Sequence, residues 1–300
     1  MMPAARSRIF VAVAIAILYL SAVHYLFDLE MIISQWRELP GATIMIAVSG
    51  LLLSYLLRAW RYRNFFALDH FPATMRLTLI HNALNHWLPA RTGEFSFPLL
   101  MKRYFGRSYA GSTHGLLWLR LMDLHALAGT ALPLFHSLLD GWLFTLLLLA
   151  WLASMPLSLW LLKHFRQRIN ASNSDGRMVQ LLKTAANELT ESKRTFFIAW
   201  LLSAANWGVK IGVLTLLVTA FVTTPATTAL TAVIAGELTS ILPFHSPGGL
   251  GTYEAGMAAA FSLFEIDFKS SLQAAVQAHL FLLNLAIISA VCALLIPIKR

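Results

Sequence analysis

The sequence predicts an all-α polytopic membrane protein, with six full transmembrane spans and two re-entrant hairpins in an inverted repeat. Three observations carry that expectation. Hydrophobic residues make up 58% of the 300 residues and charged residues only 12%, whereas soluble domains carry about 25% charged residues. Several apolar runs reach the roughly 20 residues that a helix needs to cross a bilayer, and none shows the alternation of β-barrel strands. Two further regions, 71–105 and 225–265, each read as a long apolar arm, a polar break and a short arm.

The elements follow in order. Arg6 and Arg8 precede the run 9–27. That run is longer than a signal-peptide core and lacks a clear small-x-small cleavage site, so it reads as a retained first span. Further spans are expected over 41–60, 112–139, 141–162, 195–221 and 268–298. The first long arm, 71–89, breaks at Arg91-Thr92-Gly93-Glu94 and returns over 95–105. The second, 225–243, breaks at His245-Ser246-Pro247-Gly248-Gly249-Leu250-Gly251 and returns over 254–264. Each short arm has 11 residues, about 16 Å as helix. That length cannot recross a core of about 30 Å, so both tips are expected inside the protein.

Charge sets the orientation. The 28–40 loop holds Asp28, Glu30, Arg37 and Glu38. Arg58, Arg61, Arg63 and Arg76 are assigned to the next loop, and Lys102, Arg103 and Arg107 follow the first hairpin. The polar stretch 163–194 is rich in Lys and Arg, and Lys299 and Arg300 close the chain. The positive-inside rule then places both termini in the cytoplasm. Residues 1–139 read span, span, hairpin, span, and residues 140–300 repeat that order with opposite orientation. Leu88-Pro89-Ala90-Arg91 aligns with Leu242-Pro243-Phe244-His245, and each is followed by a glycine-bearing break and a glutamate, Glu94 or Glu254. Paired broken helices in inverted repeats are a pattern of secondary transporters, with the binding site near the midplane. The whole chain, 1–300, is read as a single membrane domain.

The net charge of +9 lies at span ends, where anionic lipid and topology account for it, so no nucleic-acid partner is expected. Cys292 is the single cysteine; no intrachain disulfide is possible, no Cys/His metal spacing occurs, and no cofactor is expected. No metalloprotease, P-loop, nucleophile-elbow or dinucleotide fingerprint occurs. The 163–194 piece is too short for a catalytic domain, and 176–194 reads as an amphipathic cytoplasmic helix. The expectation is a protein that is not an enzyme.

Seven ionisable residues fall at membrane depth: Arg91, Glu94, Arg120, Asp123, Lys210, Glu237 and Glu254. Such residues are costly in a bilayer and mark either a polar pocket or structural ion pairs. Arg91 beside the exposed N–H groups of a helix break suits an anion, and arginine takes phosphate oxygens bidentately. Glu94 serves equally as a cap of the short arm. Asn85 and His86 precede the break and are placed to line the pocket. Gly248, Gly249 and Gly251 permit positive φ and close backbone approach, with His245 before them and Glu254 at the start of the return arm. Lys210 is central in its span, with Glu237 a plausible partner. Arg120 and Asp123, spaced i, i+3, are expected to neutralise each other. His114, His125 and His136 read as packing histidines.

The segments Leu88-Pro89-Ala90-Arg91-Thr92-Gly93-Glu94, Arg120-x-x-Asp123 and Leu242 through Glu254 resemble the flippase-like membrane region of lysylphosphatidylglycerol synthases. The resemblance covers essentially the whole chain and implies lipid translocation between leaflets. In such synthases a soluble aminoacyl-transferase domain follows, whereas this chain stops at Arg300, so a stand-alone member is expected. The resulting expectation is a lipid transporter or flippase for a phosphate-bearing, anionic or polyisoprenyl-linked lipid. Arg91, Lys210 and the glycine loop would hold the head group, and Glu94, Glu237 and Glu254 would orient the cations or carry a coupling proton. The alternatives are an ion-coupled small-solute transporter, an intramembrane enzyme on a lipid head group, and a non-transporting partner of a separate lipid- or glycan-modifying enzyme.

Overall fold

Local sequence sets most of the helix ends in this computed structural model, which describes residues 21, 29–136, 139–171, 176, 179–180, 183, 192–241 and 247–297. The described helices are α1 Leu29–Glu38, α2 Gly41–Phe65, α3 Phe71–Trp87, α4 Ser96–Phe105, α5 Tyr109–Phe135, α6 Gly141–Ala171, α7 Lys193–Phe221, α8 Ala226–Ile241, α9 Thr252–Ser262 and α10 Phe268–Leu295. Short 3-10 turns cover Pro89–Phe95 and Pro247–Gly249. The His70 ring accepts the Ala73 N–H at 3.1 Å to start α3, with Pro72 in the first turn, where a missing N–H costs nothing. Ser108 accepts the Gly111 N–H at 3.0 Å to start α5. Asp267 caps α10, and the Ser270 N–H, aided by the Ser270 hydroxyl, holds its carboxyl below the usual range. Lys102 and Arg103 occupy the last turn of α4, where the helix dipole favours cations. Gly106 follows them at φ 67°.

Four described helices, α2, α6, α7 and α10, are long and apolar enough to cross a membrane. The protein is therefore a multi-pass helical membrane protein. α5, with 27 residues, matches the expected span 112–139 in length but is not among those four. Arg120, Asp123 and its histidines dilute its apolar surface. Most of the expected span 9–27 lies outside the described residues, as does most of 176–194. Within the 28–40 segment expected as a loop, Leu29–Glu38 is helical, because Trp36 anchors it edge-on against Phe281 at 5.6 Å and Gln35 hydrogen-bonds Gln277. α6 continues past the expected end at 162 to Ala171, and no residue of its most apolar 18-residue window is buried. Apolar surface of that extent finds its solvent in lipid.

The chain divides into two compact units, each drawing on both halves of the sequence. Unit 1 comprises 1–56, 70–96 and 209–300. Within it α3 packs on α10, α9 packs on α10, and α8 packs along α9. Two glycines permit the last contact. A Cβ on Gly236 would stand 2.7 Å from Met257 Cγ, and one on Gly256 would stand 2.6 Å from Thr239 Cγ2. α8 and α9 thus form a helical hairpin about the second break. The first region differs: α3 ends in unit 1, while residues from Phe97 onward belong to unit 2.

Unit 2 comprises 57–69 and 97–208. Its core is aromatic. Phe97 packs on Tyr62 at 4.9 Å and on Phe66 at 5.5 Å. His125 stacks on Trp151 at 4.5 Å, accepts the Trp200 indole N–H at 3.0 Å and bonds the Trp151 carbonyl. His114 likewise accepts the Trp118 indole N–H at 3.0 Å. Both histidines are packing residues.

Candidate functional site

The first break is built on backbone contact. Leu88 is extended at ψ 139°, as a residue before proline must be. The 3-10 turn then folds back on the end of α3, where Gly93 lies so close that a Cβ would stand 2.3 Å from the Leu84 carbonyl oxygen. Arg91 is held at φ 56°, a left-handed conformation that costs a non-glycine residue about 1–2 kcal/mol. Its guanidinium donates to the Ile241 carbonyl at 2.8 Å and to Glu94 Oε1 at 2.9 Å. Ile241 is the last residue of α8, so a cation caps the negative end of that helix. Glu94 Oε2 faces His81 Nε2 at 3.8 Å. His81 is fully buried, and its Nδ1 lies 2.9 Å from Ser96 Oγ. Asn85 is half-buried with its Oδ1 without a hydrogen-bond partner. His86 bonds back to the Asn82 carbonyl at 2.7 Å.

The second break meets the first. The turn Pro247–Gly249 touches both the turn Pro89–Phe95 and α3. Gly248, Gly249 and Gly251 have φ of 70°, 70° and 85°, which only glycine adopts without strain. Glu254, in the first turn of α9, accepts the Gly251 N–H on Oε2 at 2.7 Å, while its Oε1 lies 2.7 Å from His279 Nδ1. Glu254 and His279 are both buried. A Cβ on Gly249 would stand 3.4 Å from His279 Cε1. Gly249→Val is therefore expected to destabilise the purified protein by about 1–3 kcal/mol, from left-handed strain and crowding of His279. A thermal midpoint equal to wild type would remove that role for the loop. His245 lies outside the described residues.

A second charged pair is continuous with this break. Lys210 Nζ donates to Glu237 Oε2 at 2.7 Å, with both side chains almost wholly buried. Tyr253 OH reaches Glu237 Oε1 at 3.4 Å, and the Tyr253 ring stacks on His279 at 4.2 Å. The expected Lys210–Glu237 pair is thus present. Tyr253 and His279 extend it into a buried polar chain that ends on the Gly251 backbone.

Unit 2 holds a separate cluster. Arg61 is fully buried and grips Asp123 with two bonds, 2.5 Å to Oδ1 and 3.1 Å to Oδ2. It also donates to Ser203 Oγ. The Trp207 indole N–H reaches Asp123 Oδ1 at 3.1 Å, Arg120 reaches Oδ2 at 3.3 Å, and the charge of Arg58 acts on the same carboxylate. The Arg120–Asp123 contact expected from spacing exists, but Arg61 is the closer partner. Asn206, one turn beyond Ser203, is buried with neither amide atom hydrogen-bonded.

The structure therefore brings Arg91, Glu94, Gly248, Gly249, Gly251, Glu254, Lys210 and Glu237 into unit 1 and Arg120 and Asp123 into unit 2. Sequence reasoning missed His81, His279, Tyr253, Arg58, Arg61 and Ser203. The signal available for Arg58 and Arg61 was their i, i+3 spacing on a run that stays helical to Phe65. The family model described as the lysylphosphatidylglycerol synthase TM region matches residues 9–290. No curated protein matches the chain.

Proposed function

The chain belongs to the lysylphosphatidylglycerol synthase transmembrane-region family, and from that premise we propose that it moves a phosphate-bearing lipid between the leaflets of a bacterial-type inner membrane. Six spans, two re-entrant hairpins in an inverted repeat and cytoplasmic termini are the topology that goes with this reading. The protein acts as a transporter, not as an enzyme, on membrane lipids. The observation that carries the reading is Arg91, a strained non-glycine residue at a helix break that touches the break of the other half of the chain. Strain of that kind concentrates at functional sites. Arginine takes phosphate oxygens bidentately, and the Arg91 guanidinium is held at the break by the Ile241 carbonyl and Glu94. Irregular backbone at membrane depth is tolerated where it lines a cavity or is buried in protein.

The test uses purified protein in phosphatidylcholine vesicles containing phosphatidylglycerol with a fluorescent tail, with leaflet accessibility to a membrane-impermeant quencher as the readout. Wild type is expected to expose inner-leaflet probe to the quencher faster than empty vesicles do. Arg91→Gly keeps the left-handed turn but removes the guanidinium. It is expected to lower the rate by about tenfold or more, the loss of a charged hydrogen bond of roughly 1.5–3 kcal/mol. Arg91→Lys should recover only part, because an ammonium cannot reproduce the fork. Wild-type rates in Arg91→Gly would make Arg91 a structural cap of α8 only. The close pairing of Lys210 with Glu237 and of Glu254 with His279 favours a second reading, a non-transporting partner of a separate lipid- or glycan-modifying enzyme. On that reading no lipid moves in any vesicle.

A further inference from the structure

We propose that transport is coupled to a proton carried by the buried Glu254–His279 pair at the second helix break. The proposal rests on the transport reading above and names its coupling ion. Glu254 meets His279 at 2.7 Å with both residues buried, whereas at the first break Glu94 is bound by Arg91 at 2.9 Å and only faces His81, at 3.8 Å. The histidines come from different elements, α3 and α10, and the two breaks touch. Chains of acidic residues and histidine are the usual proton relays of membrane pumps and transporters.

The charge arithmetic favours a one-proton state. A carboxyl and an imidazole sharing one proton are neutral together, whichever atom holds it. Losing that proton leaves a net negative charge in a low-dielectric interior, and gaining a second leaves a net positive one. Either is costly while the pair stays dry. The pair therefore exchanges its proton when the break opens to water on one side. Hydrogen bonding ties that exchange to the backbone. Glu254 Oε2 holds the Gly251 N–H at 2.7 Å, so protonating the carboxyl weakens the bond that fixes the glycine loop. Glu94 holds Arg91 at 2.9 Å, and Arg91 holds the carbonyl end of α8 at 2.8 Å. The proton on the Glu254–His279 pair thus biases the position of the glycine loop, which touches the first break, as a coupling free energy requires.

The remaining groups near the two breaks are accounted for. α9 contributes Tyr253, stacked on His279, and α8 and α7 contribute the closed pair Glu237–Lys210. The first turn contributes Arg91, and α3 contributes His86, bonded to the Asn82 carbonyl, and Arg76, bonded to the Ile296 carbonyl. Glu237 is engaged by Lys210 and Glu94 by Arg91, so Glu254 is the carboxyl whose close charged partner is a histidine.

Two measurements test the proposal. The first uses the vesicles described above, loaded with a trapped pH-sensitive dye, with and without a pH gradient. With one proton per lipid, a gradient of about one pH unit shifts the steady-state leaflet ratio by up to about tenfold, and a protonophore abolishes the shift. Glu254→Gln with His279→Gln should still bind the membrane and fold, while losing gradient response and dye signal. Lipid movement in wild type that ignores the gradient overturns proton coupling and leaves the lipid reading intact. The second is infrared titration of the wild-type protein in detergent, which needs no lipid transport. The difference between the wild-type and Glu254→Gln spectra should contain a protonated-carboxyl band that grows as pH falls. A difference spectrum with no such band overturns the proposal whatever the lipid does. The band without lipid movement supports the proton site and rejects the lipid substrate.

Discussion

Asp123→Ala is expected to be among the most destabilising single substitutions in this protein, costing about 3–5 kcal/mol, because it strands buried guanidinium charge. Arg61 loses both of its carboxylate bonds while remaining fully buried. The Trp207 indole N–H loses its acceptor, and Arg120 loses its 3.3 Å contact. Arg61→Ala should cost a comparable amount, since it leaves the carboxylate with weaker partners. The informative variants are the doubles. Arg61→Leu with Asp123→Leu removes the closest pair together and should recover much of the loss, as replacing a buried pair by apolar residues often does. Arg120→Ala with Asp123→Ala should recover little, because Arg61 is still stranded. Thermal midpoints of the four purified proteins in detergent decide this. Equal rescue by both doubles would mean that Arg61 and Arg120 share Asp123 evenly, against the geometry.

That cluster shows where sequence stops being informative. Spacing alone joins Arg120 to Asp123, because i, i+3 on one helix is visible in one sequence. Arg61 is 62 residues from Asp123 and Ser203 is 142 residues from Arg61, so their meeting is a tertiary fact. Arg58 and Arg61 look like loop charges obeying the positive-inside rule, and only their burial shows otherwise. The same limit applies to Arg91. Its place at a break is legible from Pro89 and Gly93, whereas its bond to Ile241 spans 150 residues.

Other features were legible for clear physical reasons. Three glycines in five residues foretell positive φ, and Gly248, Gly249 and Gly251 have it. Interior charges of opposite sign foretell pairing, and Lys210 meets Glu237. Hydropathy locates α2, α6, α7 and α10 as membrane-crossing helices. It does not foresee α1, a ten-residue helix of near-neutral composition that tertiary contacts through Trp36 and Gln35 hold in place. His81 and His279 carry no local signal either. Each is one of several polar residues on its helix, and its importance comes from the glutamate it meets.

Gly93→Ala is the second substitution expected to have a large effect, and the reason is wholly steric. The added methyl would stand 2.3 Å from the Leu84 carbonyl oxygen and 2.5 Å from Asn85 Cα and N. All three are backbone atoms in the last turn of α3, so no side-chain rotation relieves the contact. The 3-10 turn and α3 must separate, at a cost of about 3 kcal/mol or more, the upper end for overpacking. The separation also carries Arg91 and Glu94 away from Ile241 and His81. Loss of stability and loss of transport should therefore appear together. Gly212→Ala is the control: nothing lies within 4 Å of a Cβ there and the residue sits inside α7, so it should be neutral or stabilising by up to about 1 kcal/mol. Thermal midpoint and vesicle translocation are measured for both. Gly93→Ala with a wild-type midpoint would show that the turn relaxes freely, and the proposed rigidity of the first break would be wrong.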